Sequence, residues 1–203
     1  MLDGMRKALI VIDVQESFRQ RPEWQAVNNP DIADRVNTLV AAARADGDLV
    51  VWVLHAEPGT GGVFDPTSGH VHLLPELDFR DGEPLLVKTS INAFTTTNLA
   101  QLLTHHGVRA LRVCGIRSEQ CVETTTRVGF DLGYEMTYVV DATATFPIPH
   151  PDAPADQTVA ELLADPRTKS ADDVRAHVAL VLADRGFATV ATVAEIAGTL
   201  TRS

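Results

Sequence analysis

Six short apolar runs divide the chain, and each has the length of a β-strand. The first, Ala8–Val14, is a continuous run rich in isoleucine and valine, and Leu49–His55 repeats the pattern. Continuous runs of this kind are typical of strands that are buried on both faces of a parallel sheet. The pattern predicts strands at residues 8–14, 49–55, 85–88, 109–115, 135–141 and 188–192.

Stretches with helical periodicity lie between these strands. After Asn29-Pro30-Asp31, apolar residues recur at helical spacing from Ile32 to Ala43 and predict a helix with one buried face. Strand alternating with helix along the whole length predicts one domain, residues 1–203, of the α/β class. The predicted architecture is a three-layer α/β/α sandwich around a mostly parallel sheet with right-handed crossovers. Further helices are predicted at about residues 99–103, 119–132, 159–164, 172–182 and 193–200.

Two segments interrupt this alternation. Residues 56–84 carry glycine or proline at short intervals, which predicts a long loop, and residues 145–170 are rich in proline and aspartate. Long loops in compact domains are more often functional than idle. The second segment is long enough to cover either a binding pocket or a neighbouring subunit.

Charge and cysteine content exclude several classes of protein. The chain has 17 lysines and arginines against 27 aspartates and glutamates, a formal charge of −10. This balance argues against a nucleic-acid partner and against an anionic membrane surface. Its two cysteines, Cys114 and Cys121, cannot form a disulfide framework in a domain of this size. Because neither a signal peptide nor a membrane-spanning run is found, we expect a reduced, cytoplasmic protein.

Three reactive side chains stand at the ends of predicted strands. Asp13 follows the first strand, Lys88 ends the third, and Cys121 lies in the segment after the fourth. In parallel α/β sheets, ligands bind outside the carboxyl ends of the strands. Each residue also has a purely structural interpretation, as a turn cap, a surface lysine and a small buried hydrophobe. Taken together, they supply a base, a cation that supports negative charge and a nucleophile.

The position of Cys121 favours a thiolate. The residue comes three positions after Ser118, a predicted helix cap, in a first helical turn where backbone N–H groups and the helix dipole favour negative charge. Lys88 nearby acts in the same direction, and Asp13 can take the thiol proton. We therefore expect this thiol to ionise well below the pKa of ~8.5 of a free cysteine. Cys114, inside a strand, is expected to be inert core.

Three motifs around these residues carry a family resemblance. VIDVQ holds Asp13, VKTSINAF holds Lys88 and VCGIRSEQCVETT holds Cys121. In this order they resemble the isochorismatase-like cysteine hydrolases. The later stretches DLGY, VVDATAT and GFATV fit the same family, so the resemblance covers nearly the whole chain. It implies a six-stranded parallel sheet between helices.

The resemblance also implies roles for individual residues. Cys121 would attack a carbonyl carbon, Asp13 would act as general base and acid, and Lys88 would stabilise charge. The peptide bond between Ile116 and Arg117 would be cis, and the backbone N–H groups of Arg117 and Cys121 would form the oxyanion hole. Because relatives often associate, a homo-oligomer is expected.

The metal site of some family members is not expected here. Nicotinamidases in the family carry a metal site in an Asp-x-His motif with further histidines, but the comparable stretch WVLHAEP contains His55 with no aspartate two residues before it. His70 and His72 form a His-x-His pair without an obvious carboxylate partner, which is a weak metal signal. We therefore expect neither a catalytic metal nor another cofactor.

Three residues are candidates for contact with a small-molecule substrate. Arg117 stands where the family motif usually has a small or neutral residue, and its guanidinium would pair with an anionic group of the substrate. The alternative is an arginine turned to solvent. Phe18 resembles a family position that packs on the substrate, and its alternative is ordinary core packing. His55 is the third candidate, with Trp24 and Asn92 as weaker ones.

The predicted function is hydrolysis of a C–N bond in a small amide, carbamoyl or ureido compound through a covalent thioester on Cys121. The cysteine favours this chemistry, because isochorismatases, which cleave a vinyl ether, often lack it. Two alternatives stay open: a vinyl ether hydrolase of the isochorismatase type, and a non-catalytic ligand-binding α/β domain with a redox-sensitive Cys121. The last is disfavoured because the chain has no G-x-G-x-x-G turn after its first strand and no C-x-x-C pair.

Overall fold

A six-stranded parallel sheet forms the middle layer of the molecule. The computed structural model describes residues 6–198, and its strands are β1 (Arg6–Ile12), β2 (Leu49–His55), β3 (Leu85–Lys88), β4 (Val108–Ile116), β5 (Glu135–Ala144) and β6 (Thr189–Ala191). Their spatial order is β3-β2-β1-β4-β5-β6, and all neighbouring pairs are parallel. The predicted α/β fold with its parallel sheet is confirmed.

Helices form the two outer layers. They are α1 (Glu16–Arg19), α2 (Ile32–Ala45), α3 (Leu99–His105), α4 (Glu123–Asp131), α5 (Val159–Ala164), α6 (Ala171–Asp184) and α7 (Val193–Gly198). Helix α7 covers the described part of the predicted helix 193–200, whose last two residues lie outside the described range. Among residues 6–198, no helix has both the length and the apolar character needed to cross a bilayer.

Strand β1 shows why its sequence is apolar without alternation. Successive side chains of a strand point to opposite faces of the sheet. Leu9 and Val11 belong to the core that includes the buried faces of α2 and α7. Ala8, Ile10 and Ile12 belong to the opposite core, to which α3 and α6 contribute. Both faces of β1 are therefore covered, so polar residues do not alternate with apolar ones along this strand.

The order of the strands reverses beside β1. From β1 the chain builds outward through β2 and β3 on one side, whereas β4, β5 and β6 build outward on the other. The reversal opens a crevice at the carboxyl ends of β1 and β4, which is where ligands bind in open α/β sheets. The fold thus places the residues that follow these two strands at its natural binding site.

Several predicted boundaries differ from the observed ones by one or more residues, and three of these differences have a structural reason. The predicted strand 8–14 ends two residues early, at Ile12, because the backbone turns at Asp13. Strand β5 continues to Ala144, beyond the predicted end at 141, through a shift in its pairing with β4 between Val113 and Gly115. The predicted helix 119–132 begins as a π-helical turn, Ser118–Val122, before α4.

The two irregular segments have little regular structure, as predicted. Within residues 56–84 the structure contains one 3₁₀ turn, Pro66–Ser68. Residues 145–170 contain α5, and an antiparallel bridge between Ile148 and Lys169 ties the two ends of the segment together. The second segment is therefore a loop closed near its ends, and its helix α5 packs against the 3₁₀ turn Pro22–Ala26.

Candidate active site

Asp13 lies where β1 ends. Its φ of +54° makes it the one non-glycine residue among residues 6–198 in the left-handed region, which aspartate tolerates better than most side chains. Its N–H still donates to the carbonyl oxygen of Val53 at 2.8 Å, so the backbone stays tied to β2. The turn buries the carboxylate completely at the crevice between β1 and β4.

Strand β4 approaches β1 closely at Gly115. This residue pairs with Ile12 and has a φ of +127°. A Cβ at this position would lie 1.9 Å from the carbonyl oxygen of Ile12, so only glycine fits. The close approach holds the end of β4 against the end of β1. The peptide bond between Ile116 and Arg117, one residue further along the chain, is cis, the isomer that the resemblance implied.

Lys88 joins the site from the edge of the sheet. It is the last residue of β3, pairs in register with His55 of β2, and is completely buried. Its Nζ lies 2.8 Å from Oδ2 of Asp13, 3.2 Å from Sγ of Cys121 and 3.2 Å from Nδ1 of His55. The three residues that the sequence placed at separate strand ends therefore meet around one ammonium group.

Cys121 lies in the π-helical turn Ser118–Val122, and 5% of its surface is exposed. The expectation that Ser118 caps this turn is wrong, because its hydroxyl donates instead to Oγ1 of Thr143 at 2.9 Å. The turn is closed by the carbonyl of Arg117, which accepts from the N–H groups of Gln120 and Val122 at 3.2 Å. Arg117 and Cys121, the predicted oxyanion-hole residues, belong to this one turn.

The expectation of a lowered thiol pKa is also wrong. Burial raises the pKa of Cys121 to about 12, and the negative charge of Asp13 acts in the same direction. Lys88 opposes these effects without overcoming them. The pKa of Asp13 is raised as well, because burial outweighs the attraction of Lys88. The resting site therefore keeps the proton on sulfur, because removing a charged thiolate from water costs more free energy than its contact with one ammonium group returns.

Proton transfer from Cys121 to Asp13 leaves the net charge of the cluster unchanged. Before transfer, the positive Lys88 faces a carboxylate and a neutral thiol. After Asp13 takes the proton, the same ammonium faces a thiolate and a neutral carboxyl group. An isolated charge in a buried site is costly, whereas this exchange keeps one positive and one negative group in contact. The arrangement can thus activate the thiol without a low thiol pKa at rest.

Phenylalanine rings surround the approach to the cluster. Phe18 is 5% exposed and packs edge-to-face on Phe64 with centroids 4.9 Å apart. Phe64 also contacts the ring of His55, and Phe146 lies 6.0 Å from Phe18. Sequence reasoning missed Phe64 and Phe146. The available signal was their position in the two irregular segments already marked as functional candidates.

Arg117 is not turned to solvent. Its guanidinium lies 5.0 Å above the ring of Phe146 and 3.7 Å from a carboxylate oxygen of Glu119, and its side chain is 20% exposed. It lines a groove of about 720 Å³ between the turn near Pro22 and the loop of residues 146–162. The guanidinium is therefore held beside the turn that contains Cys121, and it lines a groove that reaches solvent.

The remaining candidates lie elsewhere or serve the structure. The ring of His72 contacts the carbonyl of Leu73, and the side chain of Asn92 bonds within its own loop, to the N–H groups of Phe94 and Thr95. Cys114 is fully buried in β4, and burial strongly raises its pKa. Within residues 6–198, no cluster of three or more His, Cys, Asp and Glu side chains has the geometry to hold a metal ion.

An ammonium group that contacts both a carboxylate and a thiol lies at the switch point of an open parallel sheet, where the α/β class of enzymes binds its ligands. The model of the isochorismatase domain matches residues 7–165. The chain belongs to the isochorismatase family and is a hydrolase of that family, which sets aside the non-catalytic alternative.

Several relatives are similar over much of the chain. A streptothricin hydrolase from Streptomyces noursei is 40% identical over 148 residues, which cover 70% of this chain and 56% of that protein. The ureidoacrylate amidohydrolase RutB from Klebsiella pneumoniae is 29% identical over 172 residues, or 68% and 73% of the two chains. The chain thus spans little more than half the length of the streptothricin hydrolase that it matches.

Solved structures share the whole fold. A hydrolase of the isochorismatase family from Chromobacterium violaceum superposes with a TM-score of 0.84 at 26% identity, over 99% of this chain and 96% of that one. An isochorismatase from Pseudomonas putida reaches 0.78 at 31% identity, over 94% and 89% of the two chains. The agreement extends beyond the segment matched by the domain model.

Proposed function

We propose that this hydrolase cleaves a C–N bond of a small amide, carbamoyl or ureido compound, with Cys121 as the nucleophile. The observation that carries the proposal is the ammonium of Lys88, which lies 2.8 Å from Asp13 and 3.2 Å from Cys121. A base, a cation and a thiol in contact are what covalent acyl transfer requires. The names of two relatives, a streptothricin hydrolase and an amidohydrolase, support the same reaction class.

The first half of the reaction forms a thioester. Asp13 takes the proton of the Cys121 thiol as sulfur attacks the carbonyl carbon, and the carbonyl π electrons move to oxygen. The backbone N–H groups of Arg117 and Cys121 receive the oxyanion, and Lys88 balances the negative charge that moves from carboxylate to sulfur. When the C–N bond breaks, Asp13 returns its proton to the leaving nitrogen. This step leaves the acyl group bound to Sγ of Cys121 and releases an amine or ammonia.

The second half of the reaction releases the acid. Asp13, again ionised, takes a proton from water as the water oxygen attacks the thioester carbonyl. The C–S bond then breaks, and the proton passes from Asp13 to the departing sulfur, which regenerates the thiol. Because burial raises the pKa of Asp13, the carboxyl group can hold this proton more readily than an exposed aspartate would.

The groove provides a place for the rest of the substrate. Phe146 and Arg117 line this groove, and Phe18 packs behind Phe146 with ring centroids 6.0 Å apart. A volume of about 720 Å³ is within the range of pockets that bind whole metabolites rather than single functional groups. We assign Phe18 and Arg117 to substrate binding, the arginine to an anionic or strongly polar group.

The proposal is tested by amine release and by trapping the thioester. Purified protein is incubated with streptothricin, ureidoacrylate and a series of primary amides, and ammonia or amine release is measured together with intact protein mass. We expect at least one compound to be turned over, with a transient mass increase equal to its acyl group. Cys121→Ala should lower turnover by at least about a thousandfold, whereas Cys114→Ala, in the core, should not.

Two results would contradict the proposal. Equal turnover by Cys121→Ala would exclude covalent catalysis through this residue. Cleavage of isochorismate that does not depend on Cys121, with the amides inert, would instead establish the vinyl ether hydrolase that the sequence left open.

A further inference from the structure

The ammonium of Lys88 has three protons and three acceptors. A lysine ammonium donates up to three hydrogen bonds and accepts none. Its neighbours are Oδ2 of Asp13, Sγ of Cys121 and Nδ1 of His55, at 2.8, 3.2 and 3.2 Å. Because Lys88 is completely buried, bulk water cannot replace a missing acceptor. The first two neighbours belong to the proposed reaction, and the third has no role in it yet.

The ring of His55 is suited to accept a hydrogen bond from Lys88. Burial and the positive charge of Lys88 both lower the pKa of His55, so the imidazole is neutral and has one bare nitrogen. With Nδ1 facing an ammonium, that nitrogen must be the acceptor, and the ring proton is on Nε2. Nε2 lies 3.3 Å from Oε1 of Glu57. This carboxylate fixes the tautomer, because it accepts a hydrogen bond from the Nε2–H group.

The backbone of His55 is held in place as well. Its N–H donates to Oε1 of Gln15 at 2.7 Å, and its carbonyl accepts from Nε2 of the same glutamine at 3.0 Å. On its other side, the imidazole packs edge-to-face on Phe64 with centroids 5.8 Å apart. A ring confined on these sides keeps Nδ1 at one position relative to Lys88.

We propose that His55, oriented by Glu57, is a positioning residue. It accepts one hydrogen bond from the Lys88 ammonium and thereby directs the other two N–H groups toward Asp13 and Cys121. This inference rests on the proposed function, in which Lys88 follows the negative charge from carboxylate to sulfur. It replaces the expectation that His55 binds substrate. An apolar side chain at position 55 would remove one acceptor of the ammonium in a buried site. The ammonium would then turn away from the thiol toward Oδ1 of Asp13, a buried oxygen that has no hydrogen-bond partner in the described structure.

The position of the acceptor gives a discriminating test. In His55→Asn, Oδ1 occupies the place of Nδ1, whereas in His55→Gln the amide oxygen reaches only the place of Nε2. Both variants are polar and of similar size, so they control for polarity and for folding, which thermal unfolding checks. His55→Leu removes the acceptor altogether.

The readout is alkylation of Cys121 by iodoacetamide, measured as a saturable rate and located by peptide mass. The aimed ammonium favours the thiolate, so we expect His55→Leu and His55→Gln to slow the limiting rate by about tenfold or more, with half-saturation within about twofold of wild type. His55→Asn should stay within about threefold of wild type. Glu57→Gln should slow the reaction by about twofold, and should have no further effect when combined with His55→Asn.

The inference is overturned if His55→Asn is as slow as His55→Leu, if all three variants react like wild type, or if the half-saturation concentration changes rather than the limiting rate. Since alkylation requires no hydrolysis, these outcomes are independent of the substrate. Unchanged amide turnover in Cys121→Ala would instead remove the proposed function while leaving the alkylation result readable.

Discussion

The proposed reaction centre and the groove are built in opposite ways. Asp13, Lys88 and Cys121 are between 0% and 5% exposed, follow regular strands or a single turn, and have their charges paired within the cluster. The groove reaches solvent, is walled by irregular segments, and contains an arginine shared between a ring and a carboxylate. In the proposed function, the Asp13–Lys88–Cys121 centre determines the rate of the reaction, and the groove selects the compound.

The largest effect should follow loss of the buried ammonium. Lys88→Met keeps the length and apolar body of the side chain but leaves the buried carboxylate of Asp13 unpaired. We expect the free energy of unfolding at pH 7 to fall by about 3–5 kcal/mol, together with loss of measurable turnover. Denaturant unfolding and amide hydrolysis measure the two effects. Lys169→Met provides the matched control. A Lys88→Met protein of wild-type stability would show that the Lys88–Asp13 ion pair does not stabilise the fold.

Gly115→Ala should come next. Its Cβ would meet the carbonyl of Ile12 at 1.9 Å and would force β1 and β4 apart, so we expect a loss of about 3 kcal/mol or more in unfolding free energy. Gly47→Ala is the control, since Gly47 also has a positive φ, +73°, but no atom within 4 Å of the added Cβ. It should cost only about 1 kcal/mol of backbone strain. Equal losses in both variants would mean that β1 and β4 can separate freely.

The ionisation of Cys121 offers a pH test of the same centre. Thiolate absorbance at 240 nm, corrected with Cys121→Ala, should titrate above the ~8.5 of a free cysteine, because burial raises this pKa to about 12. The Asp13 charge opposes the thiolate, so Asp13→Asn should lower the midpoint. The Lys88 charge favours it, so Lys88→Met should raise the midpoint. A wild-type midpoint below 8 would restore the low-pKa thiol that the sequence suggested.

The smallest effect belongs to the groove. Arg117→Gln keeps the backbone N–H and some polarity but removes the charge, so we expect KM to rise by about three- to tenfold with kcat within twofold. The increase should be confined to substrates with an anionic group, and neutral amides should be unaffected. Steady-state kinetics on a matched pair of amides, one with and one without a carboxylate, measures this. A fall in kcat on both compounds would place Arg117 in the reaction centre and weaken the division between the two regions.

Local signals were enough to predict most of the fold. The apolar run of β1 predicted a strand buried on both faces, and its two residue sets do pack into different cores. The boundaries at Asp13 and Ala144 were missed, because a left-handed turn and a pairing shift depend on neighbouring strands and leave no periodic signal. The prediction of a low pKa for the Cys121 thiol was wrong for a related reason. Sequence shows the neighbours that favour a thiolate, but not how much water the fold removes from it.

By itself, the sequence determined the parallel α/β class and the order in which Asp13, Lys88 and Cys121 follow their strands. Both depend on local periodicity and on the rule that parallel strands present their carboxyl ends at one edge. Only the tertiary structure decided that His55 contacts the Lys88 ammonium, that Glu57 lies behind His55, and that Arg117 stacks on Phe146. The Lys88–His55 and Arg117–Phe146 contacts join segments far apart along the chain, and all three distances depend on strand order, loop paths and burial, which are properties of the assembled molecule.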